Sequence, residues 1–576
     1  MIIKLFPYTG EYRRHAILAP LLIIGEVIME VLIPFVMAAI IDIGILGDGG
    51  ISYTIRMGLL MILMACISLC FGALAGKCAA KAGTGFAKNL RDALFDSVQE
   101  FSFSNIDKFS TASLVTRLTT DVSNTQNAFM MFIRLGVRAP FMLTGATIMA
   151  VIISPGLSVV FLAVIPLLVA AFYLIGKNAL PRFKNMLARY DAMNASVQEN
   201  LTGMRVVKAY VREAHEILKF SENADAVRKA QYFAEKLIIL NMPVMHLSMY
   251  ACIVAVLWFG GGLVIDGALE IGRLSGFISY ITQILMSLMM LSMIFIISII
   301  SRASASRIIE VLEEETSIRD NDTEASLSLL DGSIQFIDAS FSYSDSKDNL
   351  TLEGINLMIH SGETVGIIGG TGSAKTTLVQ LIPRLYDLLG GKLIVGGNDV
   401  RSYKLEKLRG EVAMVLQKNV LFSGTIRENL LWGNKDATDD DIEGACRSAQ
   451  AHEFIMSFPD GYDTVLGQGG VNVSGGQKQR LCIARALLQK PKIMILDDST
   501  SAVDMATDSR IRAALKQKLH GMTTIVIAQR ISSIYDADRI IVMDDGKISN
   551  IGTHAELLKT SAIYRDVFES QQKGVE

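Results

Sequence analysis

A chain of 576 residues is too long for one hydrophobic core and must divide into several domains. It is 51% hydrophobic and 19% charged with a net charge of −3, so nothing in its electrostatics argues for a nucleic-acid partner. The six cysteines, Cys66, Cys70, Cys78, Cys252, Cys446 and Cys482, show neither metal-ligand spacing nor a disulfide framework; most read as core packing in a bilayer or a reducing compartment.

The composition is uneven: the first half is apolar and Met-rich, the remainder is ordinary soluble text. Lys4, Arg13 and Arg14 precede the first apolar run without a small-residue cleavage site, which makes the N-terminus an amphipathic lead-in rather than a signal peptide. Apolar runs follow at residues 16–41 and 57–76. Residues 139–176 carry no charge at all and are interrupted only by Ser154, Pro155 and Gly156. Since a span takes roughly 20 apolar residues, this stretch is two helices joined by a tight turn. Runs at 237–265 and 275–300 bring the total to six spans.

Basic residues set the orientation. The segment between the second and third spans holds Lys77, Lys81, Lys88, Arg91, Lys108 and Arg117. The segment between the fourth and fifth is also strongly basic, from Lys177 to Lys229, whereas the other connections hold only Arg273. Both basic segments and both termini therefore face the cytoplasm. Each basic segment is long, keeps helical periodicity and has little Gly or Pro, so the spans should continue as long helices into water. Short turns near 103–116 and 208–213 should touch a cytoplasmic domain.

A polar, acidic stretch, "EEETSIRDNDTEAS", separates the halves, giving a transmembrane domain at 1–315, a linker at 316–330 and a second domain at 331–576. The second domain alternates short β-rich runs with helical ones, an α/β pattern. In it, "TVGIIG" leads into Gly370, Thr371, Gly372, Ser373, Ala374, Lys375, Thr376 and Thr377 and then a helix. Such a loop offers backbone N–H groups to phosphates, with Lys375 reaching the β/γ-phosphates and Thr376 holding Mg²⁺. The strict pattern has glycine where Ala374 stands. Taken alone, the near-match is balanced between a phosphate loop and a plain strand-turn-helix.

Further motifs decide between them. "VSGGQKQR" (473–480), "KIMILDDSTSAVD" (492–504), Gln417 in "VLQKNVLFSGTIRENL" and Tyr343 in "FSY" stand at the intervals of ABC-transporter ATPase domains. With six spans ahead of one such domain, the whole chain resembles an ABC exporter half-transporter of the type IV fold. It is most similar to the degenerate-site subunit of bacterial heterodimeric multidrug exporters. The resemblance implies a multidomain membrane protein, a six-helix all-α transmembrane domain followed by an α/β P-loop nucleotide-binding domain, using ATP and Mg²⁺.

It also implies residue roles. Tyr343 stacks on adenine, the loop from Gly370 to Thr377 wraps the phosphates, Gln417 senses Mg²⁺ and contacts the membrane domain, and Asp497 holds Mg²⁺ through water. Ser474, Gly475, Gly476 and Gln477 clamp the γ-phosphate of a nucleotide on the other subunit. Ser501 and Asp504 belong to the loop after the second acidic position. The turns near 103–116 and 208–213 become coupling helices.

The departures are concentrated in one pocket. Asp498 stands where hydrolytic members carry the glutamate that polarises water, and its carboxylate falls about 1.5 Å short. Gln529 replaces the switch histidine and cannot carry a positive charge toward the γ-phosphate. Gln468 replaces a glutamate common before the signature. Ala374 adds a Cβ beside the phosphates, at small cost if its backbone is helical and of order 1 kcal/mol if φ is positive. "VSGGQ", which serves the partner's pocket, is nearly intact. The expectation is tight binding and slow hydrolysis here, and a homologous partner half-transporter that carries the matching glutamate and histidine.

Glu26 and Glu30 lie one turn apart in the first span, either lining a substrate cavity or pairing with a basic residue of a neighbouring helix. The Met-rich run 283–293 is either an adaptable binding surface or ordinary packing. Of the scattered histidines only His246 falls in a span, and Pro20, Pro34, Pro166 and Pro243 read as kinks. The leading reading is ATP-driven export of small hydrophobic or amphipathic compounds across a bacterial cell membrane, in contact with lipid. An ATP-gated sensor and a lipid or peptide exporter are the alternatives.

Overall fold

The computed structural model describes residues 2–320, 327–344, 346–498, 503–518 and 521–573. The chain forms two compact units, one of residues 1–99 and 110–314, the other of residues 100–109 and 315–576.

The first unit is all helix. Among the described residues, six helices are long and apolar enough to cross a membrane: Phe6–Ile45, Gly50–Glu100, Thr111–Ile153, Pro155–Thr202, Glu213–Ile265 and Ile271–Phe295. Their regular parts are α1 (Arg13–Ala39), α2 (Gly50–Glu100), α5 (Val122–Ile153), α6 (Pro155–Thr202), α8 (Glu213–Ile238), α9 (Asn241–Ile265) and α10 (Ile271–Leu312). The short helices α3 (Phe103–Phe109) and α4 (Thr111–Thr116) lie between α2 and α5, and α7 (Met204–Ala209) between α6 and α8. Helices α2 and α6 have 51 and 48 residues, about twice what a bilayer needs, so the spans do run on beyond it. The Ser154 hydroxyl accepts the Leu157 N–H and Pro155 opens α6, which makes the predicted tight turn.

The turn expected near 208–213 falls at residues 210–212, between α7 (Met204–Ala209) and α8. Pro243 lies in the first turn of α9, just after a break at residues 239–240 inside the span Glu213–Ile265, and so marks the expected interruption. One local reading changes. Only Cys252, Cys446 and Cys482 are buried, while Cys66 and Cys70 are exposed on α2, so half rather than most of the cysteines pack in a core.

Outside the apolar stripes, ion pairs of Asp121 with Arg307 and of Arg117 with Glu310 tie the turn before α5 to α10. A wide turn at Arg117–Asp121 aims the fully buried Asp121 at Arg307, whose Nε donates to it at 2.7 Å, while Arg117 Nη1 donates to the Arg307 carbonyl at 2.7 Å.

Among its described residues the second unit carries two large sheets and a two-stranded ladder that pairs Gly424–Thr425 with Val465–Leu466. β1 (Ile334–Phe341), β2 (Leu352–Ile359), β4 (Gly390–Val395) and β5 (Asn398–Asp399) form an antiparallel sheet ordered β2-β1-β4-β5. β3 (Thr364–Gly369), β6 (Val412–Val415), β7 (Ile493–Asp497), β8 (Thr523–Ile527), β9 (Arg539–Asp544) and β10 (Lys547–Gly552) form the other, ordered β10-β9-β3-β8-β7-β6 and parallel except at β10. All residues of β7 and β8 are buried, as continuous apolar strands in a covered parallel sheet should be. This unit also contains α3: Tyr386 donates to Asp107 at 2.8 Å and its ring meets Phe103 edge-on at 6.0 Å.

Replacing Arg307 leaves the buried Asp121 charge uncompensated. Because the Arg307 side chain is 47% exposed, Arg307→Met is expected to destabilise the helical unit by on the order of 2 kcal/mol rather than the roughly 3–5 kcal/mol of a fully buried pair. A lowered melting temperature of the purified protein, recovered in part by Arg307→Lys, checks this.

Candidate functional site

In the parallel sheet, the carboxyl ends of neighbouring strands come together, and the loops that follow them share one edge. Ile527 of β8 is paired with both Asp497 of β7 and Ile367 of β3, and Leu496 of β7 is paired with Val415 of β6. The residues just past those points are the loop from Gly370, then Gln417, Asp498 and Gln529. Sequence positions far apart are thereby delivered to one place.

The loop from Gly370 to Thr377 turns through two left-handed residues, Gly372 at φ +85° and Ala374 at φ +65°, before α11 (Lys375–Gln380) begins. Of the two alternatives left open by the sequence, the strained one is therefore realised at Ala374. Lys375 folds over this loop: its Nζ donates to the carbonyls of Gly370 at 2.7 Å and Gly369 at 3.0 Å and to the Ser373 hydroxyl at 3.1 Å. Burial pushes its ammonium below the ordinary lysine value, which favours giving those bonds up for a fully charged acceptor. Tyr343 is half exposed; its hydroxyl lies 3.0 Å from that of Thr377, and its ring packs edge-on against Phe341 and Tyr386.

At the end of β7 the two acids have different surroundings. Asp497 is buried, its Oδ1 accepts from the Thr376 hydroxyl at 3.1 Å, and its Oδ2 has no hydrogen-bond partner among the described residues. Burial, aided by the neighbouring Asp498 charge, raises its pKa against the pull of Thr376 and Lys375. An orphaned carboxylate oxygen beside a threonine hydroxyl is an all-oxygen donor set that suits Mg²⁺. No other group of His, Cys, Asp or Glu among the described residues is arranged to hold a metal ion.

Asp498 stands at φ +47°, with its N–H donating to the Ile527 carbonyl at 3.0 Å. Its Oδ2 accepts the Gln529 side-chain N–H at 2.7 Å, and Gln417 also hydrogen-bonds the carboxylate. Burial raises its pKa and these two amides oppose the rise. The two substituted positions thus bind one another. Gln529 is held from behind by Gln571, whose Nε2 donates to the Gln529 carbonyl at 2.7 Å and whose Oε1 accepts from Ile531 N–H at 2.9 Å. Gln571 had no signal in the sequence, because its role depends on where the C-terminal helix Ala562–Lys573 packs.

The signature residues are elsewhere on the surface. Ser474 caps α12 (Gly475–Leu488): its hydroxyl accepts Gln477 N–H at 3.3 Å and Gln477 Oε1 accepts Ser474 N–H at 2.8 Å, with Ser474 and Gly475 exposed. Asp504 accepts Thr507 N–H at 2.9 Å; Ser501 lies outside the described residues. Gln468 opens the short turn Gln468–Gly470.

In the helical unit, Glu26 and Glu30 both accept from Arg138 of α5, at 2.6 and 2.7 Å, which is the pairing alternative weighed for them. The sequence reading began the third span at residue 139 and so left Arg134 and Arg138 outside it; a pair of arginines one turn apart, matching a pair of glutamates one turn apart, was the available signal. In the Met-rich run Leu285 and Leu288 are buried, while Met286 and Met293 are exposed. His246 is exposed and stacks on Tyr250.

Six membrane-spanning helices joined to an ATPase sheet of this design define a half-transporter. Residues 16–289 match the ABC transporter transmembrane region and residues 352–501 match the ABC transporter domain. The uncharacterized ABC transporter ATP-binding protein YfiB of Bacillus subtilis is 37% identical over 99% of this chain and 98% of its own. YgaD of the same organism, named for multidrug export as an ATP-binding/permease protein, is 33% identical over 84% of this chain and 83% of its own. A bacterial Atm1-family ABC exporter solved with ATP bound has the same fold, with a TM-score of 0.84 at 24% identity, over 97% of this chain and 99% of that one. The chain belongs to the ABC transporter family. It is a multi-pass membrane protein with an ATP-binding domain that couples ATP hydrolysis to transport.

A left-handed alanine is strained by roughly 1–2 kcal/mol, part of which glycine's greater unfolded-state freedom offsets. Ala374→Gly is therefore expected to stabilise the nucleotide-free protein by up to ~1 kcal/mol, read from thermal unfolding without ATP.

Proposed function

We propose that this chain is the subunit carrying the degenerate ATP site in a heterodimeric exporter of hydrophobic or amphipathic compounds, with residues 331–576 and both termini in the cytoplasm of a bacterium. The observation that carries the reading is the Asp498–Gln529 hydrogen bond of 2.7 Å. A general base must present a free lone pair to the attacking water. Here the shorter carboxylate faces a neutral amide, and that amide brings no positive charge to the γ-phosphate.

In this reading Tyr343 stacks on the base, and the loop Gly370, Thr371, Gly372, Ser373, Ala374, Lys375, Thr376 and Thr377 surrounds the phosphates. Thr376, Asp497 and Gln417 would hold Mg²⁺, whose charge neutralises the phosphate oxygens. Lys375 exchanges its carbonyl partners for the phosphates. Ser474, Gly475, Gly476 and Gln477 open a capped helix, Ser474 and Gly475 exposed and Gly476 and Gln477 half-buried, ready to complete a nucleotide pocket on a second subunit, with Ser501 and Asp504 contributing beside them. Val206, Tyr210 and Val211, at and just after α7, are 60%, 75% and 80% exposed, an apolar tip that a paired assembly would cover. The degenerate pocket then acts as an allosteric tether, holding the dimer partly closed between cycles, while hydrolysis at the pocket completed by the signature resets transport.

ATPase turnover of the purified chain is expected to be slow alone and fast once the partner half-transporter is added. Fast turnover of the chain alone, abolished by Asp498→Asn, would defeat the proposal. A second expectation concerns repair: Asp498→Glu with Gln529→His should raise turnover of the isolated chain about 10²-fold. Each single change should recover less than its share, because each leaves one mismatched member of the bonded pair.

A further inference from the structure

We propose that the helical unit holds a binding site for the anionic head group, phosphate, sulfate or carboxylate, of an amphiphile, with Arg134 as its unfilled cation. The proposal rests on the exporter reading for its purpose but on separate residues for its chemistry. Glu26 and Glu30 are one turn apart on α1, and Arg134 and Arg138 are one turn apart on α5. One-to-one pairing would have satisfied all four. Instead Arg138 spans both acids, Nη1 donating to Glu26 at 2.6 Å and Nη2 to both oxygens of Glu30 at 2.7 Å.

The acids are held in that arrangement from other sides. A Cβ on Gly72 of α2 would lie 2.9 Å from Glu26 Oε1, so the carboxylate rests where any larger residue would push it. On α10, the Tyr280 hydroxyl donates to the Val31 carbonyl at 2.7 Å and Gln283 Nε2 to the Glu30 carbonyl at 3.3 Å, which locks the rotation of α1. The glutamates are thus committed to Arg138 and are poor traps for a cationic compound.

Arg134 is the residue left over. It has no hydrogen-bond or ionic partner among the described residues, and it lines a cavity of about 240 Å³ together with Glu26, Arg138, Gly72 and Met290. An ionisable side chain in a membrane-spanning helix points to function by default. The donors and acceptors decide the ligand's sign: among the described residues both Glu30 oxygens and Glu26 Oε1 accept from Arg138, which leaves Glu26 Oε2 alone without a donor, while none of the N–H groups of the exposed Arg134 guanidinium has an acceptor. What the cavity lacks is an acceptor-rich anion, which a guanidinium fork receives in bidentate fashion.

The apolar part of the ligand follows from the next turns of the same two helices. α1 and α5 run in the same direction, and past Arg138 on α5, beside Glu26 and Glu30 on the neighbouring face of α1, they line a second cavity of about 310 Å³, walled by Ile24, Ile28, Val31, Phe141, Ile148 and Met149. Charge at Arg134 and Arg138 followed by apolar surface along the next turns of α5 suits a molecule with a head and a tail. A free anion would use only the first cavity.

The test is equilibrium binding to the full-length protein in phosphatidylcholine nanodiscs, with radiolabelled dodecyl phosphate, inorganic phosphate and dodecyltrimethylammonium as probes. Dodecyl phosphate should bind best, and Arg134→Gln should weaken it about ten-fold or more while leaving the ammonium unchanged. Arg134→Lys should restore part of the loss, which a merely structural role for the arginine would not produce. Equal binding of the ammonium, or an Arg134→Gln protein that still binds dodecyl phosphate normally, would overturn the site. Inorganic phosphate binding as tightly as the alkyl phosphate, with the same dependence on Arg134, would overturn the amphiphile. Binding as expected without ATP-dependent uptake of the probe into vesicles that hold this chain together with its partner half-transporter would instead count against the export reading and leave the site standing.

Discussion

The register between β7 and β8 is the constraint on which the ATPase unit depends. With Asp497 opposite Ile527, Asp498 follows one residue past the end of β7 and Gln529 two residues past the end of β8, and the two emerge side by side. The same ladder places Ile367 beside Ile527, so the phosphate loop emerges at that edge as well. Both faces of these strands are covered, so a slip of one residue would exchange differently packed buried faces and move the polar residues at the strand ends out of alignment. The continuous apolar composition of both strands therefore does more than fill a core: it fixes where the polar residues at their ends can stand.

Within that edge, the two adjacent acids have diverged in role through their surroundings. Asp497 is buried beside a hydroxyl with one oxygen unsatisfied, an arrangement that awaits a cation. Asp498 is partly buried and already bonded to side-chain amides, one of which is anchored by Gln571. Asp498 and Gln529 thus form one local unit, since each satisfies part of the hydrogen-bonding capacity of the other. The left-handed backbone at both Ala374 and Asp498 shows the same edge carrying strain on either side of the pocket.

The membrane-spanning unit is organised by a comparable rule, that charge in an apolar environment must be paired. Asp121 meets Arg307, and Glu26 and Glu30 meet Arg138. Arg134 is exceptional because the acids that could have taken it are already bound. The geometry that makes the glutamates unavailable is supplied by three other helices, through Gly72, Tyr280, Gln283 and Arg138.

Much of this was legible in the amino-acid order because it is encoded locally. Apolar runs of membrane length, the Ser154-Pro155-Gly156 turn, the glycine-rich loop before Lys375 and the capping pattern of Ser474 and Gln477 each depend on residues within a few positions of one another. The identities of Asp498 and Gln529 are likewise read directly from the chain. The span boundary lies before Arg138 rather than after it, because a charged residue inside and one outside a span look alike without neighbours. What only the tertiary structure decided are the pairings between distant segments: Asp498 with Gln529, 31 positions apart, and Arg138 with Glu26, 112 apart. It also decided the sign of φ at Ala374. Composition and spacing say which residues are available; helix rotation and strand register, set by the packing of whole faces, determine which of them meet.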